Sequence, residues 1–132
     1  CLVGIVSAVV VAKVLGAPEA IILSLASKSV TTPIAMEVTQ SVGGIPSLTA
    51  AVVVVTGILG ALIGFKTLAV GRISSPIAQG LSMGTASHAV GASTAMGYGT
   101  KYGAFASLGI TLNGIFTALL TPTIIHLIEA LI

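Results

Sequence analysis

Long apolar runs, broken at intervals by short polar ones, set the plan of this chain. Residues 2–16 are almost wholly apolar and close at Gly16 and Pro18, which predicts a helix ending there. Residues 19–25 form a shorter apolar run that stops at a polar stretch over 27–32, and Pro33 forbids one helix running through it. Thr32 suits an N-cap and Pro33 the first helical position of another short helix reaching toward Ser41. Gly43-Gly44-Ile45-Pro46 predicts a turn. Residues 48–65 read as a full span with Gly57, Gly60 and Gly64 on a small-residue face, and 66–76 as a polar connection.

The same order then recurs. Residues 76–83 are a short apolar run, 84–91 a polar break, 92–96 another short piece, 97–103 a glycine-rich turn, and 104–128 a long final span kinked near Pro122. The shift that lays Ala35 on Ala92 also lays Gly57 on Gly114, Ile58 on Ile115, Ala61 on Ala118 and Leu62 on Leu119. Internal repeats of this kind typify secondary transporters. The expected fold is an all-α integral membrane protein forming a single membrane domain. A transmembrane helix (1–16) precedes repeat 1 (17–70) and repeat 2 (71–132), each a broken hairpin plus a long transmembrane helix. If the broken segments are re-entrant the repeats are inverted; if they cross fully the repeats are parallel. Flanks of only half a span favour the re-entrant, inverted form. Lys66 and Arg72 place their loop on the cytoplasmic side by the positive-inside rule.

Composition narrows the class to one. The 132 residues are 55% hydrophobic and 6% charged, with a mean hydropathy of +1.18, against about 25% charged in a soluble domain. Uncharged stretches over 38–65, 73–100 and 102–128 each exceed the ~20 residues that cross a bilayer. Five dispersed cations make no nucleic-acid patch. A single cysteine excludes a disulfide framework or a multi-thiolate metal site. Cys1 begins an apolar run with no polar spacer, which fits a truncated helix better than a lipid-modified terminus. The chain lacks an initiator methionine and a recognisable signal peptide, and upstream helices are expected.

Chemistry concentrates in the two polar islands, Lys28-Ser29-Val30-Thr31-Thr32-Pro33-Ile34-Ala35-Met36-Glu37 and Gly84-Thr85-Ala86-Ser87-His88-Ala89-Val90-Gly91. Polar backbone at bilayer depth is costly unless it lines a protein cavity. Helix amino-termini hold anions through unshared N–H groups and the dipole. A half-helix starting at Pro33, and another starting near His88 with Ser87 or Thr85 as cap, could face each other in mid-membrane. With Ser29, Thr31, Thr32, Ser87 and Ser93 as hydroxyl donors, they suit a small 2-hydroxy or 2-keto monocarboxylate. Lys28 either pairs with that carboxylate or with Glu37, or snorkels to the interface. Glu37 and His88 are the candidates for proton coupling, against a solvated acid and a structural histidine respectively. Asn113 either contacts substrate or bonds neighbouring helices, and His126 is expected at the interface. No nucleophile–base pair, metal-ligand spacing or nucleotide loop is present, so neither an enzyme nor a cofactor is expected.

The run Lys28–Glu37, followed by Gly43-Gly-Ile-Pro-Ser-Leu-Thr49, resembles the CidB/LrgB family. So do Gly80-Leu-Ser-Met-Gly-Thr-Ala-Ser-His88, Gly103-Ala-Phe-Ala-Ser-Leu108 and Leu112-Asn-Gly-Ile115. The resemblance runs from about Ala20 onward. It implies an antiholin- or holin-like protein affecting murein hydrolase activity and autolysis, or a carrier related to a plastidial glycolate/glycerate translocator. It implies further amino-terminal helices, a small holin-like membrane subunit or self-association as partners, and a multi-pass plasma or inner membrane location (the plastid inner envelope for a plant member).

Overall fold

A computed structural model describes residues 2–130, the side chains of 126 and 128–130 excepted, so the expectations for Cys1 and His126 lie outside the described residues. Six helices follow in order: α1 (Leu2–Val14), α2 (Glu19–Ala26), α3 (Thr32–Ser41), α4 (Pro46–Val70), α5 (Pro76–Tyr98) and α6 (Thr100–Ala130). The segments Pro46–Val70 and Thr100–Ile125 are long and apolar enough to cross a membrane, whereas Leu2–Val14 is shorter than a span. The 25 residues of α4 extend about 37 Å, more than the hydrocarbon thickness.

Prolines and glycines set the ends. Pro46 and Pro76 are the first residues of α4 and α5 and Pro33 the second of α3, all within the first turn, where a missing N–H costs no helical bond. At the end of α1, Gly16 takes φ +73°, Gly16 N–H donates to the Lys13 carbonyl and Ala17 N–H to the Ala12 carbonyl. That is a Schellman stop. Gly43, φ +81°, closes α3 in the same way, with Gly44 N–H donating to the Thr39 carbonyl. After α4 the left-handed position falls on Arg72, φ 55°, with Ile73 N–H donating to the Leu68 carbonyl.

Several expected boundaries move. α4 continues past Phe65 through Lys66 to Val70, so the polar connection shrinks to 71–75. The glycine-rich stretch 97–103 is helical apart from Gly99, φ +142°. α6 continues through Pro122. The break expected over 84–91 is confined to His88, whose φ of 40° and ψ of −131° interrupt an otherwise helical segment. In each case backbone hydrogen bonding within the helix prevails where composition alone suggested loop.

Two compact units emerge, Cys1–Val53 with Gly114–Ile132, and Val54–Asn113. Within the first, α1 buries Ile5, Ala8, Val9 and Ala12 at helical spacing. Ile5 and Val9 meet Leu23, Ala26 and Ile125 in one core cluster, and Val30, Ala35 and Val53 form another. Within the second, Met83, Ala92, Ala95 and Ala106 form the core, flanked by Phe65, Leu68, Tyr102 and Ile110. Phe65 stacks on Tyr98 with ring centroids 4.0 Å apart, and Tyr102 tilts against both.

Candidate functional site

Hydrogen bonds show how the chain turns at the first polar island. Ile45 N–H donates to Ser24 Oγ at 2.8 Å, and Ser27 Oγ donates to the Ala35 carbonyl at 3.1 Å. A Cβ on Gly44 would sit 3.0 Å from the Ser24 nitrogen. α3 and the turn after it therefore double back along α2, and residues 27–31 are the tip of a helical hairpin. The second island folds likewise. A Cβ on Gly91 would collide with the Met83 carbonyl and the Ser87 side chain, although residues eight apart on a straight helix lie about 12 Å apart. The chain reverses at His88.

The first tip, in the Cys1–Val53 unit, holds four of the predicted site residues half-buried: Lys28, Ser29, Thr31 and Thr32. α3 begins one residue earlier than expected. Thr32 is its first residue, Pro33 follows and is exposed, and Thr31 takes the cap position with ψ 143°. No side-chain oxygen caps this turn. Ala35 N–H is satisfied by the Thr31 carbonyl at 2.9 Å. The start of α3 thus keeps its amide donors and positive dipole end uncapped by a side chain, the arrangement that suits an anion. Lys28 Nζ lies 3.5 Å from Ser29 Oγ and borders an apolar cleft of ≈310 Å³ lined by Ser7, Ala8, Val11 and Leu25. Gly4 brings α1 close to Ser29: a Cβ there would stand 3.3 Å from its Oγ. Glu37 points from the exposed face of α3.

Behind this tip runs a buried hydroxyl chain that sequence reading missed. Ser27 Oγ meets Thr39 Oγ1 at 2.8 Å, and Thr39 Oγ1 meets Thr49 Oγ1 at 2.9 Å. Thr49 Oγ1 also reaches the carbonyls of Ser24 at 2.9 Å and Ile45 at 3.2 Å. Each hydroxyl has one proton to give, while carbonyl acceptors stand at both ends of the chain. With Ser27 donating to the Ala35 carbonyl and Thr49 to that of Ser24 or Ile45, the Thr39 proton can go either to Ser27 or to Thr49. The signal available in the sequence was only that Ser27, Thr39 and Thr49 are hydroxyl residues; their convergence needs the fold-back.

In the Val54–Asn113 unit, His88 is 4% exposed in a backbone conformation that favours glycine. Gly57 makes room for it, since a Cβ there would stand 2.6 Å from the imidazole Cε1. Ser87 is buried against Gly60, whose Cβ would overlap its hydroxyl. Gly60, Gly64, Ser82 and Ser87 border a cleft of ≈190 Å³. Thr85 donates to the Leu81 carbonyl at 2.8 Å or to that of Ser82 at 3.2 Å, so its proton is used locally. Asn113 Nδ2 donates to the Thr85 carbonyl at 3.2 Å, bonding α6 to α5. Ser93 is exposed on the second arm of the hairpin. Among the described residues no group of three His, Cys, Asp or Glu could hold a metal ion.

The sequence profile of the LrgB-like family matches residues 1–127. Holin-like protein CidB of Staphylococcus aureus (strain N315) is 35% identical over 115 residues, 87% of this chain and 50% of that protein. Protein YxaC of Bacillus subtilis (strain 168) is 34% identical over 124 residues, 94% of this chain and 54% of its own length. A Haemophilus influenzae protein is 38% identical over 117 residues, 89% of this chain and 51% of the relative. This chain spans about half the length of these curated relatives. No solved structure matches.

Proposed function

The chain belongs to the LrgB-like family of multi-pass, non-catalytic membrane proteins, and from that premise we propose that it is the hairpin-bearing part of a holin-like protein. In this reading it regulates murein hydrolase activity and autolysis in a bacterial cell membrane, acting with a small holin-like subunit or with further copies of itself. Its similarity to proteins named holin-like, extending over 87% of the chain, carries this reading. The test is the autolysis rate and zymogram of cells in which the full-length protein is deleted, then restored. Deletion is expected to change both and restoration to reverse the change; identical lysis in all strains sinks the reading.

A second reading is favoured by the uncapped start of α3 at a hairpin tip. Here the full-length protein carries small organic monocarboxylates such as glycolate, glycerate or pyruvate, with each tip re-entrant in the bilayer and the two repeats inverted. The carboxylate accepts from the first amides of α3, and Ser29, Thr31 and Thr32 bind the adjacent oxygen, with Lys28 beside them. The strained, buried His88 is the group offered for proton coupling, with Glu37 as its rival. Ser87, Thr85, Ser93 and Asn113 belong to this reading through the second hairpin. Uptake of the three radiolabelled acids into proteoliposomes tests it. Thr31→Ala and Ser87→Ala are expected to lower uptake about ten-fold each, the worth of one buried hydrogen bond; uptake indifferent to both removes the site. An altered metabolite flux would also disturb lysis, so the two readings meet in the same cells.

A further inference from the structure

Ser87 is 1% exposed, yet neither its side chain nor that of Ser82 makes a hydrogen bond to another described residue. Thr121 Oγ1 is the one sealed side-chain oxygen among the described residues that lacks a partner. Ser87 differs because it is not sealed: with Ser82 and Thr67 it borders the ≈190 Å³ cleft between α4 and the first arm of α5. Thr67 donates to the Ile63 carbonyl at 3.0 Å and keeps its lone pairs to accept with. Hydroxyls are costly to leave without a partner, and an acyl chain cannot supply one. Waters can, at roughly 30 Å³ each and with three hydroxyls to hold them.

Contacts along the two helices show where the cleft leads. A Cβ on Gly64 would stand 2.5 Å from Met83 Sδ, one on Gly60 would overlap the Ser87 hydroxyl, and one on Gly57 would stand 2.6 Å from His88 Cε1. The first arm of α5 therefore runs antiparallel to α4. The cleft begins at Thr67 and Leu68, within a turn of the end of α4 at Val70. Its inner end, at Gly60 and Ser87, lies about 15 Å along α4 from Val70, half the ~30 Å hydrocarbon thickness. Gly57 and Gly60 are neighbours on one face of α4, their Cβ positions about 5–6 Å apart. The Ser87 hydroxyl meets one of those positions and the imidazole the other, a gap that bridging water spans. No charged residue lies in 54–65 or 73–100; the charges of this unit are Lys66, Arg72 and Lys101. Its remaining titratable groups, Tyr98 and Tyr102, lie against Phe65.

We propose that this cleft is a water-filled inlet that carries protons to His88 from the membrane face bearing Lys66 and Arg72. Waters held on Thr67, Ser82 and Ser87 form the file. A hydronium at its inner end gives its proton to the basic nitrogen of the imidazole and is left as water, and the proton returns by the reverse step. Gly60 and Gly64 keep the inlet open, since a side chain at either would displace Ser87 or Met83. The assignment rests on the carrier reading, in which His88 is the proton-coupling group, and adds the side from which its proton comes.

The test uses the full-length protein in proteoliposomes, its native cysteines replaced by serine and a single cysteine placed at Ser82 or Ser87. A small, charged, membrane-impermeant thiosulfonate is expected to label both positions from the Lys66/Arg72 face and neither from the other. Proton entry during glycolate uptake, followed with a pH dye trapped in the vesicles, is then compared in Ser82→Val and Ser82→Thr. These two side chains are alike in shape and differ by the hydroxyl. Valine is expected to slow proton entry about ten-fold, the worth of one buried hydrogen bond, and threonine to keep most of the wild-type rate. Labelling by a lipid-soluble maleimide alone shows a lipid-filled cleft and overturns the inlet, as does labelling from the opposite face or equal proton entry in valine and threonine. Each of these leaves the carrier reading standing. Wild type that takes up glycolate without proton entry removes the proton role of His88, and the inlet with it. Wild type that takes up no acid sinks the carrier reading itself.

Discussion

At the scale of single residues, the polar groups of this membrane protein divide by whether their protons are already committed. Thr85 spends its proton on its own helix, and Ser24 Oγ lies within bonding distance of the Ala20 carbonyl at 2.5 Å. In the Ser27–Thr39–Thr49 chain the Thr39 proton keeps a choice of direction. Thr39 is its middle link, and without it Ser27 still has the Ala35 carbonyl and Thr49 the Ser24 carbonyl. Thr39→Val is therefore expected to destabilise by only ~1 kcal/mol, read as a modest fall in the denaturation midpoint. His88 is the opposite case. A non-glycine residue at φ 40° stores about 1–3 kcal/mol of backbone strain. His88→Gly should relieve part of it while removing the imidazole. If the histidine serves function rather than folding, the variant will unfold at or above the wild-type temperature and lose uptake or lysis control. A variant that unfolds well below wild type marks the imidazole as structural.

At the scale of elements, glycine has two separate uses. Gly84 abuts the Ala106 carbonyl, so a methyl group there must push backbone against backbone. Gly97, in the last turn of α5, has open space where its Cβ would be. Gly84→Ala is expected to cost about 1–3 kcal/mol through overpacking. Gly97→Ala should be neutral or stabilising by up to ~1 kcal/mol, since alanine is the better helix former. Paired thermal unfolding in one detergent would distinguish them, and equal effects would contradict the packing of α5 on α6. Arg72 belongs to this scale too. It ends α4 in a left-handed conformation that Gly16 and Gly43 supply at the other two stops, so Arg72→Gly should tighten the same turn by a few tenths of a kcal/mol to ~1 kcal/mol.

At the scale of the whole molecule, the fold-back at His88 makes a prediction about sidedness. If α5 is a re-entrant hairpin, its two ends open on one face of the membrane. Single cysteines at Ser74 and Lys101, with Cys1 replaced by serine, should then react with a membrane-impermeant reagent from the same side. Labelling from opposite sides would mean that α5 crosses, and the repeats would be parallel. Cysteines at Gly43 and Ser74 flank the full span of α4 and should label from opposite sides, which calibrates the experiment.

Much of this organisation was legible in the residues themselves. Proline and glycine marked the starts of α3, α4 and α5 to within two residues and the stops of α1 and α3, because a missing N–H or a left-handed φ is a local property. The polar decapeptide 28–37 and the Gly80–His88 run were enough to indicate the family. Other features depend on residues distant in sequence coming together. The second break narrowed to His88 where the hairpin arms pack directly, and 97–103 is helical on both sides of Gly99, where Tyr98 stacks on Phe65 and Tyr102 tilts against both. Composition could not distinguish Thr121 from any other threonine in an apolar helix. Only the packing of α6 along the first hairpin buried its hydroxyl without a partner, since burial and hydrogen-bond satisfaction belong to the folded neighbourhood and not to the residue.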